Sequence, residues 1–170
     1  GWINLRAMFI YGANFFLFKP GIFLLFLGFL LMFPLLFGPL TIGPITFSFF
    51  WMVLGVVFAI VGLQSVYFGI FSQAVLDFNK TQQKKWVTVF SYNRSVWISI
   101  VLFIVGILFN VPLVKGYIKH GFKLTNIEQI ESFQSLFGLF MMISGFMTFT
   151  FTLVLHALEK MSSTAGQEFK

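Results

Sequence analysis

An all-α integral membrane protein, with an amphipathic interfacial helix followed by a four-helix transmembrane bundle, is the fold class that three features of the sequence predict. Of 170 residues, 58% are hydrophobic and only 9% charged, whereas a water-facing surface needs roughly a quarter of all residues charged. Between Pro20 and Leu76 no residue is charged, a stretch long enough for two bilayer crossings at about twenty residues each. Two more apolar runs follow, separated by polar connections, and the mean hydropathy of +0.93 makes lipid the solvent.

The first eighteen residues, GWINLRAMFIYGANFFLF, place Trp2, Leu5, Phe9, Ala13 and Phe16 on one helical face and Asn4, Tyr11 and Asn14 opposite. This pattern predicts an interfacial amphipathic helix over residues 1–19, with Lys19 and Pro20 marking the turn into the first span. A simple extension of that span is the other reading of the same residues. Span one covers about 21–37 and is expected to kink at Pro34, because proline removes a ladder donor and crowds the preceding turn. The connection FGPLTIGPITFS is uncharged and rich in Gly and Pro, so it is expected to hug the interface.

Span two covers about 49–76. The segment from Asp77 to Arg94 is polar and basic and cannot lie in hydrocarbon. Span three covers about 96–114, ending near Pro112, and span four about 133–158. These spans make up a transmembrane domain over residues 20–160, followed by a flexible cytoplasmic tail over 161–170. The chain opens on Gly1 rather than Met, without a signal peptide's basic start, and reads as a piece of a longer protein.

Lysine and arginine orient the bundle. Arg6, Lys19, Lys80, Lys84, Lys85, Arg94, Lys160 and Lys170 fall on one side, and Lys115, Lys119 and Lys123 on the other. The positive-inside rule therefore predicts both termini in the cytoplasm. The formal net charge of +6 is read as attraction to anionic headgroups, and nucleic acid is not an expected partner. The absence of cysteine excludes disulfides and thiolate chemistry.

Small residues recur every seven positions: Gly21 and Gly28; Gly55, Gly62 and Gly69; Ser99 and Gly106; Gly138 and Gly145. Such stripes are the usual helix-packing surfaces in lipid, where hydrophobic drive between helices is small. Gly55, Gly62, Gly69, Gly138 and Gly145 are accordingly assigned to packing, within the bundle or in a homo-oligomer. Gln64 lies mid-span opposite the glycine stripe of its helix. An amide there needs either an interhelical partner or a contact with a lipid headgroup or polar gate. Asn110, beside Pro112, is expected to satisfy backbone groups that the proline frees.

His156 and Glu159 are three apart and close enough to pair. Asp77 is the only aspartate, so no Asp-x-Asp metal pair exists, and no two-His, P-loop or nucleophile-elbow motif occurs. No catalytic residue, metal site or cofactor is therefore expected within this chain. What stands out is a basic rim, Arg6, Lys19, Lys84, Lys85 and Arg94, able to attract lipid phosphate or simply to set topology.

The order NLRAMFIYGANFFLFKPG, GPLTIGPITFSFFWMVLG and AIVGLQSVYFGIFSQAV resembles the C-terminal membrane region of bacterial family-2 glycosyltransferases, of the dolichol-phosphate mannose synthase and polyprenyl-phosphate sugar transferase type. The resemblance runs most clearly to about Val75 and continues by span count and spacing. It implies a membrane-anchoring and lipid-presenting module for an enzyme that moves a sugar from a nucleotide donor to a polyprenyl phosphate or related lipid. The nucleotide-sugar domain of that family, with its divalent metal site, is not in this sequence, so the resemblance implies a cytoplasmic catalytic domain in cis or in trans. Membrane lipids and polyprenyl phosphate are the implied ligands. Two other classes fit the span count: a small four-span carrier or flippase for lipid-linked sugars, and a structural assembly subunit.

Overall fold

The computed structural model describes Gly12 and residues 14–76, 81–119 and 129–165. A π-helical turn over Asn14–Phe18 runs directly into α1 (Lys19–Leu35). Then come β1 (Leu40–Ile42), β2 (Ile45–Phe47), α2 (Phe49–Val75), the short α3 (Thr81–Val89), α4 (Tyr92–Lys119) and α5 (Gln129–Ala165). Four helices, α1 with its π-turn, α2, α4 and α5, are long and apolar enough to cross a membrane. The protein is an all-α membrane protein carrying one small β-hairpin.

Packing is pairwise. α1 lies against α2 and α4 against α5, and the α2–α5 seam joins the two pairs, while among the described residues α1 and α4 form no comparable seam. The seams run through small residues. A Cβ added at Gly28 would meet Ala59 N at 2.5 Å and Gly55 O at 2.7 Å, and one at Gly106 would meet Gly138 O at 2.6 Å. Backbones approach this closely only where no side chain intervenes, which lets dispersion contacts replace the missing hydrophobic drive.

Two apolar clusters fill the α2–α5 seam. One gathers Met32, Leu35, Met52, Val56, Phe133 and Phe140, and the other Ile70, Ala74, Phe151 and Leu155 with Phe18 and Trp86 packed against them. Outward faces carry Phe23, Phe26, Phe50, Trp97, Leu108 and Phe146, all exposed. Such a surface is unfavourable in water and natural in hydrocarbon.

Several boundaries differ from the sequence reading. Helical backbone runs through Lys19 and Pro20, which stand at the first two positions of α1 where a missing N–H costs nothing, so no turn forms there. Of the interfacial helix expected over 1–19, residues 1–11 and 13 lie outside the described residues. Pro34 sits in the last turn of α1, and the Leu36 N–H bonds Met32 O one residue past the helix end, so no continuing helix exists for it to kink.

Pro112 is crossed by α4, which extends at both ends past the expected 96–114. At about 1.5 Å per residue its 28 residues span about 42 Å, longer than a hydrocarbon core of about 30 Å, so its ends project from the membrane. α5 exceeds 133–158 for the same reason, and residues 161–165 of the expected tail are helical.

The Gly/Pro connection forms a hairpin with Leu40 opposite Phe47, Thr41 opposite Thr46 and Ile42 opposite Ile45. Gly43 takes φ +59° at the first position of the two-residue loop, with Pro44 at the second. That order suits a twist-matched tight turn, and the strand pairing satisfies backbone groups that would otherwise face the interface unbonded.

Candidate functional site

At one end of the bundle the chain brings together the start of α1, all of α3, the start of α4 and the end of α5. Aromatic side chains hold this end. Phe18 meets Trp86 edge-on at 5.8 Å, and Trp86 packs with Phe90 and Val87 against Ile70 and Leu155. The sequence around Trp86, TQQKKWVTV, buries Gln83 and half-buries Trp86 and Val87 while leaving Lys84 and Lys85 exposed. α3 is therefore a short amphipathic helix lying on the end of the bundle.

Two ammonium groups of the basic rim at this end each lie over an aromatic ring. Lys19 Nζ stands 5.6 Å over the Phe15 ring, and Lys85 Nζ stands 5.6 Å over Trp86. Cation–π attraction of this kind holds each Nζ at the rim without neutralising it, so both remain able to meet an anion. The Trp86 Nε1–H is buried with no acceptor. Lys84 is exposed on the same helix, and its carbonyl accepts from Thr88 Oγ1 at 2.8 Å. Arg94 is exposed in the first turn of α4, at the mouth of a groove between the helix pairs. Arg6 lies outside the described residues.

The glycines singled out from the sequence lie at helix seams. Gly62 faces Leu25 and Gly21 of α1, Gly55 faces Gly28 and Met32, and Gly69 faces Phe18. Gly138 faces Gly106, Phe109 and Asn110, and Gly145 faces Ser99 and Leu102.

Asn110 bridges α4 and α5: its Nδ2 donates to the Gly106 carbonyl at 2.8 Å, and Ser135 Oγ donates to its Oδ1. The carbonyl that Pro112 frees is that of Leu108, four residues earlier, so Asn110 is an interhelical clasp rather than a patch beside the proline. Gln64 is exposed on α2 and borders a cleft of 260 Å³ with Tyr67, Phe71, Met147 and Thr150. The interhelical partner expected for it is not found among the described residues.

Sequence reading missed a hydroxyl stripe along α5. Thr148 Oγ1 donates to the Ser144 carbonyl at 2.7 Å, and Thr152 Oγ1 to the Thr148 carbonyl at 2.8 Å. Tyr67 O–H from α2 donates to Thr148 Oγ1 at 2.6 Å, since the Thr148 proton is already engaged, and its ring stacks on Phe151 at 4.4 Å. His156 places Nδ1 3.0 Å from the Thr152 carbonyl, so its bond runs along the stripe and not to Glu159. The i, i+4 spacing of Ser144, Thr148, Thr152 and His156 was the available signal. Among the described residues no group of three or more metal-ligating side chains occurs.

The chemistry that this arrangement supports is retention of an anion on an aromatic, lipid-facing rim. A family model described as glycosyltransferase family 2 C-terminal transmembrane region matches residues 76–159, which hold α3, α4 and most of α5. No curated protein and no solved structure was found to match the chain. The matched segment is the half in which the sequence resemblance rested on span count and spacing. Its short amphipathic helix and pair of long apolar helices are the parts assembled around Trp86 and the α4–α5 seam. Residues 76–159 of this chain thus carry the match to the glycosyltransferase family 2 C-terminal transmembrane region.

Proposed function

We propose that the chain is the membrane-anchoring and lipid-presenting module of a family-2 glycosyltransferase that transfers a sugar from a nucleotide donor to a polyprenyl phosphate or related lipid-linked acceptor. In this reading both termini face the cytoplasm, where a catalytic domain, in cis or in trans, supplies the sugar donor and a divalent metal. The single observation that carries it is the placement of Lys19 over Phe15 and of Lys85 over Trp86, with Phe18 packed on that indole, in a chain whose residues 76–159 match this family's membrane region.

A phosphate monoester is close to dianionic at neutral pH. Placed at this rim it meets two ammonium groups at the depth of the headgroups, with Lys84 beside them, while an isoprenoid tail lies along the Phe-rich outer faces of α1 and α2. The rim so holds the acceptor oxygen at the membrane surface, and the long apolar helices fix its height relative to a cytoplasmic domain.

The test is equilibrium binding of polyprenyl phosphate to the purified chain in neutral phosphatidylcholine vesicles, for the wild type and the double variant Lys19→Gln, Lys85→Gln. Two basic residues near the surface contribute enough that their loss should weaken binding about thirtyfold. Equal binding by the variant would overturn the proposal.

A further inference from the structure

We infer a second lipid site: the groove between the α1–α2 and α4–α5 pairs seats an anionic, ester-linked glycerophospholipid, with its phosphate at Arg94 and Ser95 and an ester carbonyl at Ser144. The groove exists because, among the described residues, α1 and α4 form no extensive seam, so a space of 420 Å³ opens between the pairs. Leu25, Phe29, Arg94, Ser95, Ser144 and Thr148 line it. At its inner end Phe29 of α1 meets Phe140 of α5 edge-on at 5.5 Å and closes it, leaving a pocket of partial depth.

Two buried hydroxyls make this groove more than an apolar gap. Ser95 is 3% exposed and Ser144 6% exposed, and both line the space. Ser144 Oγ has no hydrogen-bond partner, although Thr148 and Thr152 on the same stripe each bond the carbonyl one turn back. Ser95 spends its backbone N–H on the Ser91 carbonyl, and its side chain lines the same groove. An unbonded hydroxyl in a low-dielectric site is unfavourable, and an incoming acceptor at the depth of Ser144 relieves it, while Ser95 offers a second hydroxyl at the outer depth.

The outer depth suits a phosphate. The amides of the first turn of α4 ahead of Ser95 have no helical carbonyl to bond and point outward, the Arg94 guanidinium stands on that turn, and the Ser95 hydroxyl adds a neutral donor. The inner depth suits an ester. Ser144 neighbours Gly145, whose Cβ position would lie 3.3 Å from Leu102 Cβ, so Ser144 is level with Leu102, seven residues along α4 from Ser95.

At 1.5 Å per residue the two hydroxyls are separated by about 10 Å along the bundle. Hydrogen bonds of roughly 2.7 Å at each end leave about 5 Å, the reach of a glycerol linkage between a phosphate oxygen and an acyl carbonyl. An isoprenoid phosphate offers no acceptor below its phosphate and would leave Ser144 unbonded. This site is therefore distinct from the rim proposed for the acceptor, and stands or falls separately from it.

The experiment measures binding of labelled dioleoyl phosphatidylglycerol to the purified chain in mild detergent, against its dialkyl-ether analogue, polyprenyl phosphate and inorganic phosphate. The wild type should prefer the ester lipid to the ether analogue about fivefold, the worth of one hydrogen bond. Ser144→Ala should abolish that preference by lowering ester binding alone, and Arg94→Gln should weaken both lipids about tenfold while Arg94→Lys largely restores them. Equal binding of ester and ether lipid by the wild type, or an unchanged preference in Ser144→Ala, would overturn the inference. So would displacement of the labelled lipid by inorganic phosphate or by polyprenyl phosphate as readily as by phosphatidylglycerol itself.

Discussion

Exchanging Gly62 for alanine adds a single methyl group, and the structure places that methyl against the backbone of α1. It would press on Leu25 N and lie 2.8 Å from both Gly21 O and Leu25 Cα, with no flexible side chain able to yield. The helices must separate, and overpacking of this kind costs about 3 kcal/mol, at the upper end of its usual range. Alanine recovers about 1 kcal/mol of helix propensity, so a net loss of about 2 kcal/mol is expected.

Gly116→Ala is the matched control. Its methyl would meet the Glu131 carboxylate at 3.1 Å, the movable end of a side chain, so the propensity gain should survive. Thermal unfolding in detergent should therefore show Gly62→Ala melting about 4–8 °C below wild type and Gly116→Ala level with it or above. Equal melting of Gly62→Ala and wild type would refute the assignment of this face to close backbone packing.

Three further outcomes follow from particular contacts. A double-mutant cycle on Asn110→Ala and Ser135→Ala, read by unfolding in detergent, should give a coupling of about 1 kcal/mol, because each removes the same interhelical bond. Tyr67→Phe keeps the stack on Phe151 and loses the bond to Thr148, so it should destabilise by about 1 kcal/mol, and Tyr67→Leu by visibly more. Gly43→Val forces a β-branched residue to φ +59°, at a cost of about 1–2 kcal/mol, and should speed hydrogen exchange at the amides of 40–47 without changing exchange in the cores of α2 and α5.

The crossing helices were legible because charge is excluded from hydrocarbon whatever the tertiary arrangement. Their ends were not, since helical bonding continues past the membrane edge into Tyr92–Ser95, Lys115–Lys119 and Glu159–Ala165, where hydropathy has already fallen. The hairpin carried a readable signal, Leu-Thr-Ile and Ile-Thr-Phe around Gly-Pro, which the turn residues masked. α3 was hidden by its composition: its inward face is the polar Gln83 with the half-buried Trp86 and Val87, too few apolar groups to give a visible period.

The small-residue spacing is a one-dimensional pattern and could be read directly. The groove could not, because it arises from which helices form no extensive seam. Ser144 is an ordinary small residue until, among the described residues, its buried hydroxyl is left without a partner beside that gap.

The most direct test of the proposed role is capture of the native protein from its source membrane with an antibody against residues 162–170, followed by assay of the captured material with labelled nucleotide sugars and polyprenyl phosphate. The account predicts sugar transfer to the lipid that requires a divalent cation, carried out by a catalytic domain in the same polypeptide or bound to it. Capture of the intact chain at full yield with no transfer from any nucleotide sugar to any polyprenyl phosphate would contradict it.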